Sequence, residues 1–137
     1  MADSQFSSLS NPRHDETSLF LNSNKTVKDI LVKTETLDTA FGRLAEIYSF
    51  ERPFLKMDTQ GYDLEVVEHG KNVLHKFLGL QSELAIRKLY ENSIDFRDAI
   101  SRYEQLGFYL SGFIPNNGIL SPRMIETDCI MVRNDSK

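Results

Sequence analysis

Phe54-Leu55-Lys56-Met57-Asp58-Thr59-Gln60-Gly61-Tyr62-Asp63 is the stretch whose reading decides the fold. Phe54 to Met57 is a short apolar run with one lysine, which predicts a short buried strand. That strand delivers a carboxylate, Asp58, to its carboxyl end, and Thr59-Gln60-Gly61 turns the chain into a helix. In an open α/β sheet, ligands sit beyond the carboxyl ends of the strands. Asp58 therefore stands where chemistry is done, or it only caps the helix that follows. Spacing alone leaves both readings open.

Downstream of the turn, Tyr62, Val66, Gly70, Val73, Leu74 and Phe77 recur at helical spacing, with Gly70 ending the first part of that helix. Leu78 to Leu84 is a second strand-like run, with Glu83 near its carboxyl end. Asp95 then caps a helix whose stripe is Phe96, Ala99, Ile100, Tyr103 and Leu106, and Gly107 stands at the left-handed C-terminal cap. Phe108 to Ile114 reads as a third strand and Pro115-Asn116-Asn117-Gly118 as a turn. A loop runs from there to about Glu126, and Asp128 to Arg133 is the last strand. Upstream, Lys28 to Glu35 alternates like a strand, and Thr36 or Asp38 caps a helix with Leu37, Phe41, Leu44, Ala45 and Tyr48 on one stripe. Residues 1–25 carry six serines and three asparagines, and read as a flexible N-terminal segment whose island Leu19-Phe20-Leu21 docks on the domain of residues 26–137.

Strands alternating with helices predict a mostly parallel sheet with helices packed on it. The last two strands have no helix between them and are expected as an antiparallel pair at one edge.

The 137 residues are enough for one core. A net charge of −4 argues against a nucleic-acid binder, which carries a basic field. No apolar run reaches the roughly 20 residues of a membrane helix, and the N-terminus lacks the basic and apolar regions of a signal peptide. The single cysteine, Cys129, lies in the apolar run Cys129-Ile130-Met131-Val132 and reads as a reduced, buried strand residue, which fits the cytoplasm. His69 and His75 are six residues apart, a poor separation for sharing a metal, and both read as surface residues; no metal is expected.

Asp58 and Glu83 close successive strands joined by one helix. If those strands are neighbours, about 4.8 Å apart, both carboxylates face one crevice and can divide the work. One takes a proton while the other holds a hydroxyl or a cation. The alternative is that Glu83 only pairs with a lysine or arginine at the rim. A phosphate-accepting receiver domain also has a strand-end aspartate. It needs an acidic pair after its first strand and a lysine at a later strand end, and here Asp29 precedes a strand and no strand-end lysine follows Glu83.

Leu55-Lys56-Met57-Asp58-Thr59-Gln60-Gly61-Tyr62-Asp63 resembles the signature of the FkbM-type methyltransferase family, a strand of the form L-K-x-D followed by x-x-G-x-E, with Asp63 where the family usually has glutamate. Leu78 to Leu84 followed by Leu89-Tyr90-Glu91 resembles the family's next strand and loop. Phe96 to Phe108 resembles the following helix and the G-F strand start. Thr36-Leu37-Asp38 and Glu126-Thr127-Asp128 match further steps in the same order. The resemblance covers roughly residues 26–133. It implies a Rossmann-like fold that uses S-adenosylmethionine to methylate a hydroxyl of a sugar or other small molecule. Asp58 and Glu83 would then be catalytic, Asp58 and Thr59 would touch the cofactor, and Gln60, Gly61 and Tyr62 would line the substrate.

The cofactor half of such a fold needs a glycine-rich turn, because only glycine lets backbone amides approach the ligand closely. The glycines are 42, 61, 70, 79, 107, 112 and 118, and no two are separated by one residue. The expectation is a partial methyltransferase fold lacking its glycine-rich N-terminal half. Its exposed sheet edge would need a cover, either a second copy or a complementing chain. The reading from another class is a truncated, catalytically silent fold that serves only in binding.

Overall fold

The computed structural model of the chain describes residues 7–15, 20–116 and 123–133. Helix α1 (Leu37–Ile47) is followed by strand β1 (Phe54–Lys56), helix α2 (Asp63–Glu68), a single 3₁₀ turn (Leu74–Lys76) and strand β2 (Gly79–Ala85). Helix α3 (Phe96–Gln105) and strands β3 (Phe108–Asn116) and β4 (Glu126–Arg133) complete the order. The four strands form one mixed sheet in the order β1-β2-β4-β3. β1 and β2 are parallel, and β4 runs antiparallel to both β2 and β3. The antiparallel pairing of the last two strands agrees with the sequence, but the mostly parallel sheet it predicts is corrected: β1 and β2 form the one parallel pair among the described residues, because β4 returns antiparallel between β2 and β3.

The local signals act as their chemistry dictates. The Thr36 side chain accepts from the Thr39 amide at the start of α1, and Asp95 accepts from the Arg97 amide at the start of α3. Gly107 takes a φ of +87°, the left-handed conformation that ends α3. Arg133 completes that cap. Its guanidinium lies 4.3 Å from the Phe108 ring centre and donates to the Leu106 and Leu74 carbonyls, each at 3.2 Å. Ala99 and Tyr103 of α3 are buried with Leu80, Leu84, Cys129, Met131 and Phe108 on one face of the sheet. Phe41 of α1 packs edge-on to Phe50 and Phe77, with ring centres 5.3 Å apart in each pair.

Four further expectations are corrected. Lys28 to Glu35 has no regular structure and joins no strand, and Ile30, Leu31 and Val32 are exposed. Alternating β-branched residues fix a local conformation; a strand also needs a neighbour to take up its backbone groups. β1 is consequently an edge strand rather than the buried strand its apolar run predicts, with Phe54 and Lys56 exposed. Pro115 and Asn116, read as a turn, are the last residues of β3; Asn117 and Gly118 lie outside the described residues. The stripe of α1 is also less buried than its spacing implies, because only Phe41 is buried while Leu44 and Tyr48 are exposed.

The N-terminal segment lies against the end of the sheet. The Arg13 amide donates to the Leu89 carbonyl at 2.7 Å and the Glu91 amide donates to the Asn11 carbonyl at 3.0 Å. Phe20 packs on the small cluster of Leu89, Tyr90 and Ile125, while its neighbour Leu19 lies outside the described residues. Among the described residues no helix is long and apolar enough to cross a membrane.

Gly79 registers β1 on β2. A Cβ there would lie 2.4 Å from the Met131 carbonyl oxygen and 2.8 Å from the Phe54 ring. Gly79→Ala is therefore expected to destabilise the fold by about 1–3 kcal/mol, because a backbone carbonyl in a paired strand has nowhere to go. Urea denaturation of the two proteins measures this.

Candidate active site

Asp58 follows β1 directly, and Glu83 sits near the carboxyl end of β2. Parallel pairing of Leu55 with Leu80 and Lys56 with Gln81 puts the two acids at the same end of the sheet. They are joined by one side chain. The Gln60 amide nitrogen donates to Asp58 Oδ1 at 3.2 Å and to Glu83 Oε2 at 2.7 Å. The amide oxygen of Gln60 accepts from the Tyr90 hydroxyl at 2.8 Å. A donor on the oxygen fixes which end of the amide faces the acids. Gln60 itself has φ +53°, uncommon for a residue with a side chain, and its carbonyl accepts from the Ser8 hydroxyl at 2.8 Å. Strain held in place by several bonds marks functional turns.

The pattern continues across the sheet. Asn116, at the end of β3, donates to Glu83 Oε1 at 3.1 Å and to Asp128 Oδ1 at 3.0 Å, and Gln81 donates to Asp128 Oδ2 at 2.8 Å. Asp58, Gln60, Glu83, Asn116, Asp128 and Gln81 thus form a row in which acids and amides alternate. At its outer end Lys56 pairs with Asp58 at 3.8 Å. Amides satisfy carboxylate oxygens without cancelling their charge. Burial first, and then the charge of Asp58, push the Glu83 carboxyl up to about 7 against the Asn116 hydrogen bond, with Asp128 and Asp63 adding to the rise. Glu83 therefore exchanges a proton near neutral pH, as a general base or acid must. Burial and the nearby Glu126, Glu83 and Asp58 raise the Tyr90 hydroxyl above its ordinary range, which keeps it a donor to Gln60.

A buried carboxylate fixes the turn beneath this row. Asp63 accepts from the Thr59 amide at 3.0 Å, the Thr59 hydroxyl, the Ser82 hydroxyl at 2.8 Å and the Glu83 amide at 3.0 Å. The Ser82 hydroxyl also bonds the Tyr103 hydroxyl at 2.8 Å. Asp63 thereby ties the turn after β1 to the backbone of β2 at the residue that carries Glu83.

The residues singled out in the sequence are placed as follows. Asp58 is 59% exposed on the rim. It does not cap α2, whose cap residue is Tyr62 with no side-chain cap bond. Glu83 meets Gln60 and Asn116 rather than a lysine or arginine. Thr59 turns its hydroxyl inward to Asp63. Gly61 has φ +93° and packs against Ser93 and Tyr90. Tyr62 is partly buried at the start of α2 and does not enter the row. Tyr90, Asn116, Asp128 and Asp63 join the site without being singled out for it by the sequence. The Leu89-Tyr90-Glu91 loop and the unusual Asp63 were visible in sequence; the approach of Asn116 and Asp128 depends on how β4 inserts. Cys129 is buried beside Ser82, and burial pushes its thiol up to about 12, which leaves it inert as a nucleophile. Among the described residues, no group of three His, Cys, Asp or Glu side chains is positioned to hold a metal ion.

A groove of about 660 Å³ opens beside the row. One wall is residues 7–11. The other is the arm of residues 26–34, with Thr26, Lys28, Asp29, Ile30, Val32 and Thr34 along it, and the groove reaches the site at Thr59. Its size is that of a small-molecule pocket.

Comparison with known proteins gives one match. Residues 2–108 fit the family model described as the methyltransferase FkbM domain, from the N-terminal segment through α3 to the first residue of β3. No curated protein and no solved structure matches the chain.

Proposed function

The chain belongs to the FkbM methyltransferase family, and from that premise we propose that it forms the acceptor side of an O-methyltransferase acting on a sugar or another small hydroxyl compound. One observation carries the reading: Glu83, poised to exchange a proton at neutral pH, is bridged through Gln60 to the exposed Asp58. Methylating a hydroxyl requires that its oxygen be aligned and its proton removed. The acceptor enters along the groove that ends at Thr59. Asp58 receives a hydrogen bond from it, and Glu83 takes the proton of the reacting hydroxyl. Gln60 holds both acids at a fixed separation, and Tyr90 and Asn116 hold the bridge and Glu83 in turn.

The family's methyl donor is S-adenosylmethionine, a sulfonium cation attached to a nucleoside. A row of acids suits the cation. The nucleoside finds no cradle among the described residues. The glycines at positive φ are Gly61 and Gly107, and the space a Cβ would take is occupied by Ser93 at the first and Arg133 at the second. The same absence favours the second reading, a methyltransferase-fold binding module without activity. In the first reading the nucleoside is held by a complementing chain along the free edge of β1, in a sheet that together is Rossmann-like, and the reaction takes place in the cytoplasm.

The test uses the chain isolated natively with whatever co-purifies. Methyl-labelled S-adenosylmethionine is presented with a panel of monosaccharides and small alcohols. Label in an acceptor, lost in Glu83→Gln, is the expected result. No transfer, together with no calorimetric heat up to millimolar S-adenosylmethionine, leaves the binding-module reading.

A further inference from the structure

Among the described residues β3 is an edge strand of nine residues, Phe108 to Asn116, and it carries no charged side chain. Edge strands are ordinarily protected by charge, because a row of free backbone groups invites another strand. Here Tyr109, Leu110, Phe113 and Ile114 are 55%, 39%, 47% and 52% exposed. The edge has two irregularities, a bulge at Ser111 and Pro115 near its end.

The bulge sets which residues share a face. Leu110 lies opposite Met131 and Phe113 opposite Cys129, so both point to the side covered by α3. Tyr109 lies opposite Val132 and Ile114 opposite Asp128, so both point to the other side. Without the extra residue, positions three apart would point to opposite faces. With it, the strand is symmetric about the Ser111–Gly112 bond: Leu110 matches Phe113, and Tyr109 matches Ile114.

We infer that β3 is a homodimer edge, pairing antiparallel with the same strand of a second copy about a two-fold axis through Ser111–Gly112. In that register Leu110 faces Phe113 of the partner subunit on one side of the sheet, and Tyr109 faces Ile114 of the partner subunit on the other. Apolar cross-strand pairs of this kind stabilise a ladder. Each bulge meets the other, so the ladder stays in step across its centre. A slip of one residue would put Leu110 against Gly112 or Ile114 and set the two bulges out of phase, so the register is fixed. The same bulge and proline reject a regular foreign strand, which makes a second copy the fitting occupant rather than any free strand. A continuous eight-stranded sheet results. It brings the turn at Gly107 of the partner subunit beside Asn116, the residue that donates to Glu83, so pairing fences one side of the acid row.

Sedimentation equilibrium on the full chain tests this. A dimer is expected for the wild type, and Ile114→Lys, which sets a charge against Tyr109, is expected to abolish it while circular dichroism shows the fold retained. A cysteine pair covers the case in which that variant fails to fold. Tyr109→Cys with Ile114→Cys, neither of which faces the native Cys129, is expected to form an intermolecular disulfide under mild oxidation, since directly opposed residues fall within disulfide reach and residues five apart along one strand do not. Leu110→Cys with Ile114→Cys, which are not opposed, is expected to stay reduced. A wild type that is monomeric at the highest attainable concentration, a dimer indifferent to Ile114→Lys, or equal cross-linking of the two cysteine pairs overturns the proposal.

Discussion

Asp63→Ala is expected to lower the stability of the domain by about 3–5 kcal/mol, the range for removing one partner from a buried charged network. The carboxylate is 4% exposed and accepts four hydrogen bonds. Alanine would leave the Glu83 amide, the Thr59 amide and the Thr59 hydroxyl facing an empty space that is too enclosed for each to find water. Asp63→Asn keeps the volume but sets an amide nitrogen against donors, so it is expected to lose about half as much. Equilibrium unfolding in urea measures both. A loss below about 1 kcal/mol for the alanine variant would mean that the turn after β1 does not depend on this carboxylate. The same variants should loosen the site, because Asp63 ties the turn carrying Gln60 to the backbone of Glu83.

Glu83→Gln is expected to raise stability above neutral pH and to abolish the proton transfer that the site is built for. The folded carboxyl sits at about 7 against an ordinary 4.5, so between those values the folded chain binds the proton that the unfolded chain has released. Stability contributed by this group is therefore lost as pH rises from about 4.5 through about 7, by up to about 3 kcal/mol. Glutamine never ionises and escapes that loss, less about 1 kcal/mol for one acceptor replaced by a donor facing Gln60 or Asn116. The gain should be present at pH 8 and absent at pH 4.5. Under the proposed function, the wild-type rate rises through about pH 7 as Glu83 loses its proton. The variant loses about 10²-fold or more, the usual worth of a positioned base. Thermal melts at the two pH values and the pH–rate profile measure the two effects separately.

Local chemistry was legible in the sequence, and long-range pairing was not. Asp95, Thr36 and Gly107 act as caps because capping depends on residues within one turn. Asp58 and Glu83 fall at one end of a parallel pair because each closes its strand and one helix separates them. Lys28 to Glu35 has the composition of a strand and stays unpaired, since no residue within that segment specifies a neighbour. Asn116 joins Glu83 only because β4 inserts between β2 and β3, a step that no local pattern encodes. The family signature casts Gln60 as a substrate residue. Its bridging of two acids rests on a left-handed backbone and on Tyr90, thirty residues on. The self-matching of β3 likewise appears only once the bulge at Ser111 is known.

The central claim is that a carboxyl at the tip of β2 exchanges its proton near neutrality because it is itself buried and lies beside Asp58 and other acids. The direct measurement is a pH titration of the Glu83 side-chain carboxyl carbon by NMR, assigned by comparison with Glu83→Gln. The predicted midpoint is about 7, falling toward the ordinary range in Asp58→Asn, which removes the largest neighbouring charge. A midpoint near 4.5 in the wild type would contradict the account.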